Sequence, residues 1–145
     1  MMFQKDLLES STHMDSRRIV AQGLGESCGP NLKPLCQVIT PIGMLGYGFD
    51  EDLTRSALQT LRSLTTPTAL ILDSGSTDGG PLKLALGSMT APRSSYERDF
   101  RKLLALGYEF QAPIIIGSAG GDGTDAHVDE FLDIIQEICE EETNR

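Results

Sequence analysis

Two carboxylates and one imidazole stand out in this chain because of the loops that carry them. Asp73 closes the apolar run Ala69-Leu70-Ile71-Leu72 and opens the loop Asp73-Ser74-Gly75-Ser76-Thr77-Asp78-Gly79-Gly80-Pro81. His127 follows the run Pro113-Ile114-Ile115-Ile116 and the loop Gly117-Ser118-Ala119-Gly120-Gly121-Asp122-Gly123-Thr124-Asp125. Carboxylates and imidazoles take and return protons, and an imidazole changes charge near neutral pH. Glycine-rich backbone can converge its N–H groups on an anion, with the hydroxyls of Ser76 and Thr77 as further donors. The pattern therefore points to Asp73, Asp78 and His127 as catalytic, proton-handling groups. Ligand-binding positions are then Gly75, Ser76, Thr77, Gly117, Ser118, Gly120, Gly121 and Asp125. A plainer reading of the same residues also stands. Asp and Gly shape turns, Ser and Thr satisfy stray backbone groups, Thr124 or Asp125 caps a helix, and His127 is a surface or capping histidine.

Neither loop is a nucleotide fingerprint. No Gly-Lys-Ser/Thr follows, and Gly-x-x-Gly-Gly-x-Gly is not the dinucleotide pattern. His127 with Asp122, Asp125 and Asp129 lacks a metal-ligand spacing, and positions 127 and 129 leave a helix on different sides. No metal or other cofactor is expected. A third loop, Thr40-Pro41-Ile42-Gly43-Met44-Leu45-Gly46-Tyr47-Gly48-Phe49, adds Gly46 and Tyr47 as ligand-binding positions. Met44, Leu45 and Phe49 there are either pocket wall or core. Lys83, Arg93 and Arg98 are candidates for meeting a carboxylate, with surface charge as their default.

These loops need strands behind them and helices beyond them. Apolar runs at 35–39, 68–72 and 113–116 read as buried parallel strands. Asp50 reads as a helix N-cap, with Glu51 and Asp52 at the positive end of the dipole. Leu53, Ala57, Leu58, Leu61 and Leu64 form that helix's apolar face, and Pro67 closes it. A long loop then runs to Ser94-Ser95-Tyr96-Glu97, which reads as a capping box. The helix behind it buries Phe100, Leu103 and Leu104 and ends at Gly107. Val128, Phe131, Leu132, Ile135 and Ile138 face the core from a final helix. Upstream, Arg18-Ile19-Val20-Ala21 reads as a short strand and 23–34 as a loop. Residues 1–14 read as a vector-derived or disordered leader, leaving 15–145 as a single α/β domain. Strand and helix alternate, which implies right-handed crossovers and a small, mostly parallel sheet of three to four strands. The expected architecture is a three-layer Rossmann-like domain with its glycine-rich loops at the strand C-terminal ends, where α/β sheets bind ligands.

At 145 residues the chain can bury a substantial core. Its net charge of −9 and its lack of a basic stripe argue against a nucleic-acid partner. No apolar stretch approaches the roughly 20 residues of a membrane span. Three cysteines, Cys28, Cys36 and Cys139, show no Cys-x-x-Cys spacing, which suits a reducing, cytoplasmic setting.

Taken together, three motifs resemble the acyclic terpene utilization (AtuA-like) family. They are Thr-Pro-Ile-Gly-Met-Leu-Gly-Tyr-Gly-Phe at 40–49, Asp-Ser-Gly-Ser-Thr-Asp-Gly-Gly-Pro at 73–81, and Ile-Ile-Gly-Ser-Ala-Gly-Gly-Asp-Gly-Thr-Asp-Ala-His at 115–127. The resemblance spans roughly residues 36–139 in the same order. It implies a place in bacterial breakdown of citronellol- and geraniol-type compounds through acyl-CoA intermediates. Matching positions are Asp73, Gly75, Ser76, Thr77, Asp78 and Pro81, then Gly117, Ser118, Ala119, Gly120, Asp125 and His127. Family members read Asp-Pro-Gly-Pro where this chain has Asp78-Gly79-Gly80-Pro81, a change that loosens the turn. They are also several times longer, so the chain is expected to be a compact version, a fragment or one subunit of a split protein.

The expected function is a cytosolic enzyme or enzyme subunit acting on a small carboxylate or acyl-CoA, of lyase, hydratase or isomerase type. The alternative is a non-catalytic ligand-binding or subunit-interaction module that completes a larger protein. A small sheet leaves an open edge, so a homo-oligomer or a complementary subunit is the expected partner, beside a small anionic ligand.

Overall fold

A computed structural model describes residues 34–62, 66–76 and 78–144. Within the compact unit Leu35–Arg145, three strands alternate with helices. The strands are β1 (Gln37–Ile39), β2 (Thr68–Asp73) and β3 (Ile114–Gly117). The helices are α1 (Glu51–Arg62), α2 (Gly80–Leu86), α3 (Arg93–Phe110) and α4 (Asp125–Thr143). The sheet is parallel throughout, in the order β1-β2-β3.

Register decides which side chains share a face. Leu70 pairs with Ile39 on one side and Ile114 on the other, and Leu72 pairs with Ile116. Leu70 and Leu72 are buried with Leu58 of α1 and Phe100, Leu103 and Leu106 of α3 in one core. Both crossovers advance one strand in the same direction, so right-handed connections put α1 and α3 on the same face. The ion pair Arg55–Glu109 links those two helices. Alternation sends Val38, Ala69, Ile71 and Ile115 to the opposite face. There Val38 is 52% exposed and Ile115 54%. The described residues thus form a mixed α/β fold with a small open three-stranded parallel sheet.

The helix after β1 begins as its sequence predicts. Asp50 Oδ1 accepts the Leu53 N–H at 2.9 Å, an N-cap bond. Its buried face is Thr54, Leu58 and Leu61, while Leu53 is exposed. The face is therefore turned from the expected one toward Thr54, and Leu64 lies outside the described residues, as do 18–21 and the leader.

The capping box at Ser94 does not form. Pro92, with φ −66° and ψ 149°, starts α3 at Arg93, and no side chain caps it. Tyr96 instead enters the core, where its hydroxyl accepts the Ala91 N–H at 3.2 Å. Gly107 does not end the helix either. It lies inside α3, where a side chain would stand 2.8 Å from Ile114 Cδ1. The helix runs to Phe110 and stops at Gln111, whose φ is 53°. The expected long loop before Ser94 contains α2, which opens on Pro81 at a first-turn position. Its Leu82, Leu84 and Leu86 are all exposed, so no amphipathic period marks it in the sequence.

Two features lock the frame. Phe131 of α4 sits 4.8 Å from the Tyr96 ring and 5.0 Å from Phe100, the latter edge-on at 84°. Arg93 reaches Glu130 and Glu137, and Arg101 reaches Glu141, all across the α3–α4 seam. The second feature is a carboxylate inside α3's apolar face. Asp99 is 0% exposed, and its Oδ2 accepts the N–H groups of Gly46 at 2.8 Å and Gly48 at 3.0 Å. Arg98 donates from Nε to Asp99 Oδ1 at 2.9 Å and from its terminal nitrogen to the Gly46 carbonyl at 3.1 Å. Gly46 holds φ +100°, and a side chain there would lie 2.7 Å from Ala91 Cβ.

Replacing Asp99 with Ala strands the buried Gly46 donor, at a cost of about 1–3 kcal/mol, and the partly buried Gly48 donor, at a smaller one. The urea midpoint of Asp99→Ala should fall by a corresponding amount. Asp99→Asn, which keeps one accepting oxygen, should fall between it and the parent. A midpoint unchanged in Asp99→Ala would refute the clamp.

Candidate functional site

β2 gathers the three loops. The Asp73 carbonyl accepts the Leu45 N–H at 2.8 Å, and the Ser74 N–H donates to the Gly117 carbonyl at 3.0 Å. Loop 40–49, loop 74–79 and the end of β3 therefore share one edge of the sheet. Leu45 is fully buried and Phe49 packs against the core, so these two serve as core. Gly46 is buried in the Asp99 clamp, whereas Tyr47 projects to solvent.

In the second loop Asp73 turns back on its own chain. Its Oδ1 accepts the Gly75 N–H at 2.9 Å, and the residue remains exposed. The Ser76 carbonyl takes the N–H groups of Gly79 at 3.1 Å and Gly80 at 2.8 Å, which closes the turn. Asp78 is exposed at that turn, and Thr77 lies outside the described residues. Gly75 meets the third loop: a side chain there would sit 2.7 Å from Ser118 Cβ. Ser118 itself holds φ +51°, a conformation costly for a residue that is not glycine.

The third loop builds the most developed constellation. Thr124 occupies the N-cap position of α4, and its carbonyl accepts the N–H groups of His127 and Val128, both at 3.0 Å. Its hydroxyl does not cap the helix but donates back to Asp122 Oδ1 at 2.9 Å. The same oxygen accepts the Thr124 N–H at 3.0 Å and lies 2.7 Å from His127 Nδ1. Asp125 begins the helix, exposed in its first turn. The imidazole lies against Gly120, whose φ is +67° and where a Cβ would stand 2.6 Å from His127 Cγ. Only a glycine leaves room for that ring. Gly120 is further held by the Thr90 N–H, which reaches its carbonyl at 2.7 Å, and Gly121 is buried beside the Thr90 side chain.

The electrostatics fix the tautomer. The Thr124 N–H chiefly holds Asp122 below the usual carboxylate range, against the opposing effect of burial, helped by His127 and the Thr124 hydroxyl. An ionised carboxylate only accepts, so Nδ1 carries the proton facing it. A neutral ring in this orientation presents an unprotonated Nε2, which makes no hydrogen bond among the described residues. Two buried polar atoms, Ser74 Oγ and Asp122 Oδ2, likewise have no hydrogen-bond partner among them.

The structure brings Gly75, Ser118, Gly120, Gly121 and His127 into one continuous loop cluster beside Asp73. No hydrogen bond joins Asp73, Asp78 and His127 to one another. From sequence, Asp122 stands out only within a metal set that its spacing argues against. The signal for its true partner is an acid five residues before a histidine, across a helix start. Ser74 and Asp99 give no comparable signal, since burial of a polar side chain follows from packing.

All three candidate cations are engaged inside the chain. Lys83 donates to the Met89 carbonyl at 3.3 Å, Arg93 pairs with Glu130 and Glu137, and Arg98 with Asp99. Among the described residues, no three His, Cys, Asp or Glu side chains are gathered to hold a metal ion. Cys36 and Cys139 are exposed free thiols, and Cys28 lies outside the described residues. No described helix is long and apolar enough to cross a membrane. No family model, curated protein or solved structure matches the chain.

Because its pKa is depressed on folding, ionised Asp122 adds stability above the ordinary value of 3.8, and that contribution disappears as pH falls through the lowered value. Asp122→Asn should therefore melt below the parent at neutral pH, with the gap narrowing as the solution is acidified past that value. Parallel melting curves at every pH would show that Asp122 is not held as described. Gly120→Ala should displace the imidazole, read as a changed His127 ring resonance in a chain that still folds.

Proposed function

We propose that the loops after β2 and β3 form one site for the anionic end of a small carboxylate or an acyl-CoA thioester, with His127 as the base. The observation that carries this reading is the oriented imidazole. Nδ1 is committed to Asp122 at 2.7 Å while Nε2 has no hydrogen-bond partner among the described residues, on a ring pressed against Gly120. That is the arrangement a general base needs, with geometry fixed by a second group and a lone pair left open. With Lys83, Arg93 and Arg98 engaged elsewhere, backbone N–H groups of the glycine loops and the N-terminus of α4 receive the anion. Nε2 removes a proton beside the substrate carbonyl, and the resulting imidazolium gives that proton back to the product, with Asp73 and Asp78, exposed on the neighbouring loop, exchanging protons with solvent at the same edge. The reaction class is lyase, hydratase or isomerase.

The resemblance of the three loop motifs to the AtuA-like family favours acyl-CoA intermediates of acyclic terpene or related carboxylic acid catabolism, and a cytosolic setting. In this reading the frame is Rossmann-like and three-layered, with ligand at the C-terminal edge of the sheet. The parallel strands, with their loops gathered at the C-terminal ends, support that edge as the ligand's place. The second reading, an interaction module that completes a larger protein, is favoured by one observation, an edge of β3 that no strand among the described residues covers.

A thermal-shift screen with acyl-CoA thioesters, free CoA, mono- and dicarboxylates and phosphate tests the binding claim. A ligand at 100 times its Kd adds about 2.7 kcal/mol of stability, a readily measured shift. His127→Ala should then lower turnover of the selected compound by about 10²–10⁴-fold. No shift with any compound, or full turnover after alanine replacement of Asp73, Asp78 and His127 in turn, would overturn the reading.

A further inference from the structure

Among the described residues, β3 ends the sheet with one edge uncovered. The Pro113 and Gly117 carbonyls face β2, accepting from Leu70 at 2.9 Å and Ser74 at 3.0 Å. In a parallel ladder alternate residues point their backbone groups to the same neighbour. Ile114 and Ile116 therefore turn their N–H and C=O groups outward, where no strand pairs with them among the described residues.

The helix above that edge is wider in its apolar surface than three strands require. Phe131, Ile134 and Ile138 of α4 are buried in the core that α3 shares. About 100° further round the helix, Val128, Leu132 and Ile135 form a second apolar stripe. Val128 is 41% exposed and Leu132 58%. With Ile114, Ile116 and Leu104 they line an open groove of about 300 Å³. That is about twice the roughly 150 Å³ that holds one benzene ring, so the groove has room for more than one aliphatic side chain. A row of free backbone groups beside such a groove is the requirement for strand addition: pairing supplies affinity, and alternate side chains fill the groove.

Charge identifies the occupant. The acids on the α3 side of α4, Glu130, Glu137 and Glu141, are paired with Arg93 and Arg101. On the other side, beyond Val128 and Leu132, stand Asp125 and Asp129, exposed and in no ion pair among the described residues. A second copy would bring this acidic lip, on a chain of net charge −9, against itself. We propose that the free edge of β3 accepts an extended segment of a partner protein, carrying alternating β-branched apolar residues flanked by Lys or Arg. Its backbone pairs with Ile114 and Ile116, its apolar side chains enter the groove under α4, and its basic flanks meet Asp125 and Asp129. This inference is independent of the chemistry proposed at the glycine loops.

The test uses the full chain and a fluorescein-labelled peptide, Lys-Lys-Val-Thr-Val-Thr-Val-Lys-Lys, followed by fluorescence polarisation. Binding should weaken as salt rises from about 0.05 to about 0.5 M, since the flanking pairs are screened. Leu132→Lys and Asp129→Lys, both at exposed positions, should each weaken it by at least about tenfold, with melting temperatures unchanged. A peptide N-methylated at every valine and threonine should not bind, since one alternate set of its N–H groups must face Ile114 and Ile116 whichever way it runs. Hydrogen exchange should slow at the Ile114 and Ile116 amides and not at Ile115. No binding of the peptide, or binding indifferent to N-methylation and to Leu132→Lys, would overturn the proposal. A dimer in sedimentation equilibrium that Leu132→Lys dissociates would also overturn it, by making a second copy the occupant.

Discussion

A carboxylate with no access to water is tolerable only where donors surround it, and Asp99 is placed on that condition. Its position within the buried face of α3 makes the 46–48 backbone its obligatory partner. That single requirement brings the loop after β1 over the end of β2, where Leu45 closes the core and meets the Asp73 carbonyl. The loops after β2 and β3 are then confined to the remaining space at the same edge. Close approach there is only possible because Gly75 and Gly120 lack side chains against Ser118 and His127.

The same frame accounts for the imidazole. Phe131 stands one turn beyond His127 on α4, wedged between Tyr96 and Phe100, and so fixes the helix whose first turn carries the ring. Asp122 fixes it from the other side. Thr124 commits its hydroxyl to Asp122 and not to the helix end, so the cap position serves the dyad. The helix end goes without a side-chain cap, and Asp122 gains a donor that fixes its orientation.

Much of this was legible in the residues. The three strands follow from apolar runs at Val38, Leu70 and Ile115, and the Asp50 cap follows from residue type and position. The loop cluster at the strand ends follows from parallel topology, which leaves all three loops at one edge. What the sequence hid has physical causes. Pro92 outranked Ser94 in starting α3, because its fixed φ set the chain direction two residues earlier. Gly107 read as a terminator although its role is to admit Ile114, a tertiary contact with no local signature. The short α2 lacks an apolar stripe because none of its residues is buried. Asp99 and the Asp122–His127 pair depend on which side chains share space, and sequence spacing only weakly encodes that.

The most direct measurement is NMR of the imidazole nitrogens of His127 at neutral pH, assigned by comparison with His127→Gln. The hydrogen bond from His127 to ionised Asp122 requires the Nδ1–H tautomer, with Nε2 unprotonated, and a shift toward the Nε2–H tautomer when Asp122 is replaced by alanine. A ring that is already Nε2–H in the intact chain, or that ignores the loss of Asp122, would contradict the claim that this pair orients a base.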